Sequence, residues 1–153
     1  MKLIGVISDT HGLARPEIAE VFRGAEMILH AGDVGKPEVL DALRRIAPVK
    51  AVRGNVDSGE WCAALPRSEA VQVDGALLYV VHDVAELSLD PSAAGISAVI
   101  YGHSHISDDR DLGGVLYFNP GSAGPRRFQH PVSVGLLRVE DGRVSGEIVP
   151  LAV

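Results

Sequence analysis

Five short polar motifs interrupt the apolar runs of this chain, each where a run ends: Ser8-Asp9-Thr10-His11-Gly12, Gly32-Asp33, Gly54-Asn55, His82, and Gly102-His103-Ser104-His105. They offer the carboxylates of Asp9 and Asp33, the amide of Asn55, and the imidazoles of His11, His82, His103 and His105. A donor set that mixes oxygen with imidazole nitrogen suits borderline divalent ions such as Mn, Zn, Fe, Co or Ni better than Ca or Mg. A lone histidine at a strand end is ordinarily a surface or packed residue. Burying this many ionisable groups, however, is costly unless they are paired or coordinate a metal.

Asp9 and His11 are two residues apart, as are His103 and His105. On extended backbone that spacing puts both side chains on the same side, so each pair could close on one ion. Each pair also borders a glycine, as do Asp33 and Asn55, and glycine allows a sharp turn and close approach to a ligand where a chain leaves a sheet. Ligands of open α/β sheets gather at the carboxyl ends of the strands.

The elements that must position these residues are legible as well. Lys2 to Ser8 reads as a buried strand, Pro16 to Arg23 as a helix, Glu26 to His30 as a strand, Pro37 to Ile46 as a helix and Val49 to Arg53 as a strand. This β-α-β-α-β run predicts parallel strands joined by helices. Beyond it, Asp74-Gly75 and Asp141-Gly142 are hairpin turns between apolar runs at Ala70 to Val73 and Ala76 to Val81, and at Val132 to Val139 and Val144 to Val149. Further expectations are a short helix near Val84 to Leu89 ended by Pro91, strands at Ala98 to Tyr101 and Val115 to Phe118, and a solvated acidic loop holding Asp108, Asp109 and Asp111. The expected fold class is α/β: two packed mixed β-sheets flanked by helices.

At 153 residues without an internal linker or repeat, residues 1–153 are expected to form one domain. The single cysteine, Cys62, excludes an intramolecular disulfide and a Cys-based zinc site, which makes a reducing, cytoplasmic setting the default. Its reading as a small packed residue outweighs that of a nucleophile, since no neighbouring group suggests activation. The apolar start is short and stops at a polar motif, so it is read as a strand and not a leader. No stretch approaches a membrane span. A net charge of −6 without any Lys/Arg run argues against stable nucleic-acid binding. Self-association is left open.

Asp9-Thr10-His11, Gly32-Asp33, Gly54-Asn55, His82 and Gly102-His103-Ser104-His105, in this order, resemble the calcineurin-like metallophosphoesterase superfamily. The short length, the lack of a cap domain and the Asn119-Pro120-Gly121-Ser122 segment resemble its small YfcE-like phosphodiesterase branch. The resemblance implies an αββα sandwich and two divalent ions per chain, Mn foremost, with Ni, Co, Fe or Zn as alternatives. Asp9, His11 and His105 would hold one ion and Asn55, His82 and His103 the other, with Asp33 bridging. Asp33, Asn55 and His82 would then also carry catalysis. Two such ions about 3.5 to 4 Å apart can share a hydroxide and clamp the attacking and leaving oxygens of an in-line displacement at phosphorus. The implied activity is hydrolysis of a small phosphoester, foremost a phosphodiester.

Two departures from the family pattern matter. Larger relatives often place a histidine directly after the Gly-Asn, where it can aid the leaving group, whereas here Val56 follows Asn55. Valine cannot transfer a proton, so Asp57, a water or the substrate would have to. Many relatives have His-Gly where this chain has His82-Asp83, and Asp83 is read as solvated or as supporting a ligand. His30 could orient Asp33 or pack against backbone, and Asn119 to Ser122 could support the His103 to His105 loop. Arg126 and Arg127 are candidate substrate-binding residues, because a guanidinium fork can hold a phosphate oxygen, against the reading of a solvated basic pair. The rival from another class is a catalytically silent scaffold of the same fold, like the retromer scaffold subunit. Relatives that became scaffolds tend to lose a ligating histidine, and here all four are present. A structural metal site is disfavoured, since such sites are closed by Cys and His.

Overall fold

The structure is a computed structural model that describes residues 1–127 and 129–153. Its first β-sheet has the strand order β10-β9-β1-β2-β3, built from β1 (Lys2–Ile7), β2 (Met27–His30), β3 (Val49–Ala51), β9 (Ser133–Glu140) and β10 (Arg143–Pro150). β1, β2 and β3 run parallel, and β9 and β10 complete the sheet antiparallel. The second sheet has the order β4-β5-β6-β8-β7, from β4 (Ser68–Val73), β5 (Ala76–Val81), β6 (Ala98–Ile100), β7 (Asp108–Leu112) and β8 (Val115–Asn119). Within it β5, β6 and β8 are parallel, and β4 and β7 are antiparallel edges.

The alternation of β1 shows how the layers form. Ile4 and Val6 point into the space between the sheets, where Leu29, Val52, Leu78, Ile100, Phe118 and Leu137 meet them. Ile7 points to the other face, against Ile18, Phe22, Leu40 and Leu43. Those residues belong to or follow α1 (Glu17–Val21) and α2 (Pro37–Arg44), which cover the outer face of the first sheet. A strand buried on both faces needs the unbroken apolar run that Leu3 to Ile7 provides.

The two packed mixed sheets are as expected, and two local expectations change. The helix near Val84 to Leu89 is one 3₁₀ turn, Val84–Glu86, opened by Asp83, whose Oδ1 accepts the Ala85 N–H at 3.0 Å. Among the described residues no α-helix covers the outer face of the second sheet, so the flanking helices lie on one side only. Val81, Val99, Tyr101 and Val115 are instead shielded there by Val84, Leu87 and Ile96. Asp108 to Leu112, expected as a solvated acidic loop, is the edge strand β7, antiparallel to β8 through a turn at Gly113-Gly114. Acidic residues along an edge discourage pairing with another chain, and the Gly-Gly pair was the hairpin signal. The two Asp-Gly turns do form, with both residues at positive φ as a type I′ turn requires.

His30 ends β2 with no solvent exposure. Its Nδ1 accepts the Gly32 N–H at 3.1 Å, which leaves Nε2–H to donate to Thr10 Oγ1 at 2.9 Å, and that hydroxyl donates onward to the Val34 carbonyl at 2.9 Å. His30 thus fastens backbone and does not contact the Asp33 carboxylate. Burial, with the nearby charge of His82, lowers its pKa from the ordinary 6.5 to about 3. Between those values the unfolded chain binds a proton that the folded chain refuses, so stability falls as pH drops from 6.5 toward 3. The loss from this residue is about 1.4 kcal/mol per pH unit in that window. Thermal unfolding of wild type and His30→Gln between pH 7 and pH 4.5 should show the smaller fall in Tm for the variant; equal falls would mean that His30 becomes charged inside the fold.

Candidate metal centre

Every motif singled out in the sequence lies just beyond the carboxyl end of a parallel strand. Asp9 and His11 follow β1, Asp33 follows β2, Asn55 follows β3, His82 follows β5, and His103 and His105 follow β6. The first three strands belong to one sheet and the last two to the other, so packing the sheets face to face brings all seven residues to one rim.

The local backbone is not extended there. Asp9, His11, Asp33, His103 and His105 have φ of 55°, 46°, 55°, 71° and 63°. Paired side chains therefore converge because the chain coils through the left-handed region, not because of strand alternation. Asp and His enter this region more readily than most residues, yet each such position costs on the order of 1 kcal/mol, a strain typical of functional sites. Neighbouring glycines make room. A Cβ on Gly54 would collide with the backbone nitrogen and Oδ1 of Asp33, and one on Gly102 with Ser8 Oγ and Asp9 Oδ2.

Asp9 is fully buried. Its Oδ2 accepts the Ser8 hydroxyl at 2.7 Å and the His103 N–H at 3.0 Å. Its Oδ1 accepts no hydrogen bond among the described residues, and lies 3.3 Å from His105 Nε2 and 3.9 Å from both His11 Nε2 and His82 Nε2. Asp33 repeats the division of labour: Oδ1 accepts the Val56 N–H at 3.0 Å, while Oδ2 lies 3.3 Å from His82 Nε2 and 3.8 Å from His11 Nε2. The Nε2 atoms of His11 and His105 are 3.3 Å apart. Asn55 Oδ1 lies 2.9 Å from His82 Nε2 and 3.2 Å from His103 Nδ1. His82 is oriented by its Nδ1–H, which donates to the Ala31 carbonyl at 2.7 Å.

Electrostatics follows from this packing. Burial raises the pKa of Asp9, against the Ser8 hydroxyl and the charges of His82 and His105. Burial also pushes Asp33 up, but the His82 imidazole and the Val56 N–H outweigh it and hold Asp33 below its ordinary value. For His82, burial acts downward and is outweighed by Asp33 and Asp9, so its pKa is raised. His105 is lowered, mainly by burial.

The residues fit a divalent ion. A buried carboxylate oxygen without a donor is disfavoured unless a cation answers it, and Asp9 Oδ1 is such an atom facing three imidazole nitrogens. Two triads bring one ligand atom each within 4.8 Å of one another: Asp9 with His11 and His105, and Asp9 with Asp33 and His82. Asp9 as well as Asp33 thus touches both halves of the site.

Other residues hold the frame. Asp57, a candidate proton source by sequence, is 4% exposed, and its carboxylate accepts the N–H groups of Gly35 at 2.9 Å, Gly54 at 2.9 Å and Val34 at 3.3 Å. It ties the Asp33 loop to the Asn55 loop and turns no oxygen to the rim. Asn119 Nδ2 donates to the Gly102 carbonyl at 3.0 Å and to Ser104 Oγ at 3.2 Å, the support expected for the His103 to His105 loop. Asp83 Oδ2 lies 3.8 Å from His103 Nε2. Arg126 and Arg127 are both exposed and line a shallow cleft with His105, Ser122 and His130, and Arg126 also donates to the Val153 backbone oxygen. The role of Ser8 escaped the sequence reading; its one signal is its place directly before Asp9.

The chain matches the calcineurin-like phosphoesterase superfamily domain over residues 1–142. A probable metallophosphoesterase of Methanothermobacter thermautotrophicus is 35% identical over 96% of this chain and 91% of its own length. Phosphodiesterase YfcE of Escherichia coli K12 is 28% identical over 90% of this chain and 87% of its own. In fold the chain is similar to an archaeal phosphodiesterase, with a TM-score of 0.78 at 24% identity over 96% of this chain and 99% of that one. It is equally similar to Vps29 of Chaetomium thermophilum, with a TM-score of 0.78 at 19% identity over 99% of this chain and 100% of that one. With its sequence matched from the first strand into the last hairpin, the chain belongs to the calcineurin-like phosphoesterase superfamily.

Proposed function

We propose that residues 1–153 form one cytoplasmic, metal-dependent phosphoesterase domain, foremost a phosphodiesterase, holding two divalent ions. Asp9, His11 and His105 hold one ion, Asn55, His82 and His103 the other, and Asp33 serves both. The observation that carries this reading is the buried, donor-less Oδ1 of Asp9, facing the imidazoles of His11, His82 and His105. The probable metallophosphoesterase and phosphodiesterase relatives support it. All four histidines at the rim favour it over a silent scaffold; the likeness to Vps29, at 19% identity, speaks to fold alone.

When bound, two such ions supply Lewis acidity at the phosphoryl oxygens and make a water acidic enough to attack phosphorus. The chain orients the donors. Ser8 and the His103 N–H fix Asp9 through one oxygen and the Val56 N–H fixes Asp33 through one, which leaves the other oxygen of each toward the histidines. The two positions directly after Asn55 offer no free proton donor. Val56 is exposed there, and Asp57 is committed to backbone. An alkoxide leaving group needs a proton that a nitrophenolate does not, so an absent general acid costs the alkyl substrates, by roughly 10²- to 10⁴-fold.

Three outcomes follow. Chelator should abolish phosphoesterase activity, and Mn, Ni or Co should restore it best, with two ions per chain by elemental analysis; one ion at most, with activity indifferent to chelator, would sink the reading. Asp33→Asn should cost on the order of a hundredfold in kcat/KM, and Asn55→Asp about tenfold, because the shared position needs negative charge whereas Asn55 can be replaced by another oxygen donor. Equal losses of kcat and metal content would show that Asp33 does not bridge. Wild type should prefer aryl over alkyl phosphodiesters steeply, and Val56→His should narrow the gap; kcat/KM for both classes, with metal content checked, tests this, and an unchanged gap would put the proton donor elsewhere.

A further inference from the structure

On the side of Asn55, His82 and His103 the rim opens into a shallow cleft whose remaining wall is Arg53, Arg67, Asp83 and Glu86. The fold brings the two arginines together from separate segments. The Arg53 N–H donates to the Pro66 carbonyl at 2.8 Å, which lays the residues before β4 along the end of β3. Ser68 pairs with Val81 in the antiparallel β4–β5 register, so Arg67 comes level with His82. Arg53 is half-buried, and its Nε–H donates to the Asp57 carbonyl oxygen at 3.2 Å, which fixes the guanidinium while both Nη groups have no partner among the described residues.

Neither arginine has a carboxylate within ion-pair distance among the described residues, whereas Arg23, Arg44, Arg110 and Arg138 each have one. The acidic groups of the cleft are otherwise disposed. Asp83 Oδ1 caps the Ala85 N–H and its Oδ2 lies 3.8 Å from His103 Nε2. Glu86 has no ion pair among the described residues and stands as an opposing charge. An arginine held by Nε with its Nη groups free is prepared to take the oxygens of a phosphate, and a second guanidinium beside it adds to the attraction. Arg126 is directed instead at the Val153 carbonyl.

We propose, resting on the phosphodiesterase reading above, that Arg53 and Arg67 form an anion subsite for a second phosphate group, so that the preferred substrate is a phosphodiester carrying a further phosphate beyond the bond that is cleaved. Arg53, pinned by Asp57, is the fixed half of the subsite and the exposed Arg67 the adaptable half. Glu86 limits its strength.

Two diesters with the same scissile group test this: 4-nitrophenyl ethyl phosphate and its analogue with a phosphate on the far end of the ethyl group. Both are assayed on the full chain reconstituted with Mn²⁺, and calorimetric titration with their non-hydrolysable phosphonate analogues reads binding without turnover. Wild type should favour the phosphorylated diester by about tenfold in kcat/KM, and its analogue by a similar ratio in Kd, as one charge-assisted pair warrants. Arg67→Gln and Arg53→Lys should each collapse that ratio toward one, and Glu86→Gln should raise it. A wild type indifferent to the added phosphate, or a preference that survives in both arginine variants, overturns the subsite. If neither diester is cleaved, the phosphodiesterase reading falls while the titration still decides the role of the arginines.

Discussion

A carboxylate taken out of water must find donors or a cation, and the rim of this molecule is arranged around two carboxylates, of which Asp9 keeps one buried oxygen without a donor and Asp33 turns one to the His82 imidazole. Asp9 and Asp33 each have one oxygen answered by the chain, through Ser8 Oγ–H and the His103 N–H in one case and the Val56 N–H in the other. The second oxygen of each faces imidazole nitrogens 3.3 to 3.9 Å away. Satisfying one oxygen fixes the carboxylate's position and keeps the other turned toward the histidines. The left-handed backbone at five of the seven motif residues is what lets short loops deliver such geometry. That strain persists because the sheets beneath are packed tightly enough to sustain it.

A third carboxylate holds the frame. Asp57 gathers three backbone N–H groups from the loops of Asp33 and Asn55, and its own carbonyl holds the Arg53 guanidinium. The loops after β2 and β3 are thereby locked to each other, independently of anything bound between them. His30 performs the corresponding task between the loops after β1 and β2, through Thr10 and the Val34 carbonyl. A buried imidazole and a buried carboxylate thus share one duty, and each is affordable because every polar atom it presents to those loops meets a partner.

Much of this was legible in the chain. The β-α-β-α-β start announces itself by apolar runs closed by Gly-flanked polar motifs, and Asp74-Gly75 and Asp141-Gly142 form the hairpins they suggest. The motif residues were legible for the same reason: ionisable side chains at the ends of core strands have no packing explanation. What the pattern could not carry is conformational. Residues two apart suggested strand alternation, whereas Asp9, His11, His103 and His105 converge through positive φ, which residue type permits without announcing. The edge strand Asp108–Leu112 was hidden by its charge, since an edge has no buried face on which to alternate. That Arg53 and Arg67 line one cleft depends on the bond from the Arg53 N–H to Pro66 and on the register of β4 against β5, which no local pattern reveals.

The two halves of the site differ in their relation to water, and this bears on how substrate would arrive. Asp9 and His105 are buried and the His11 side chain is 16% exposed, whereas Asn55 is exposed and the His103 side chain is 46% exposed. On the function proposed above, an ion held by Asp9, His11 and His105 sits deep among fixed donors. An ion held by Asn55, His82 and His103 lies at the open side. Screening by water is weaker at the deep position, so charge there acts more strongly on a phosphoryl group, while the open side is where the rest of the substrate must extend. Arg53 and Arg67 stand on that open side. On that function, the asymmetry would give strong, buried electrostatics to the reacting phosphoryl and adaptable, half-solvated contacts to whatever distinguishes one substrate from another.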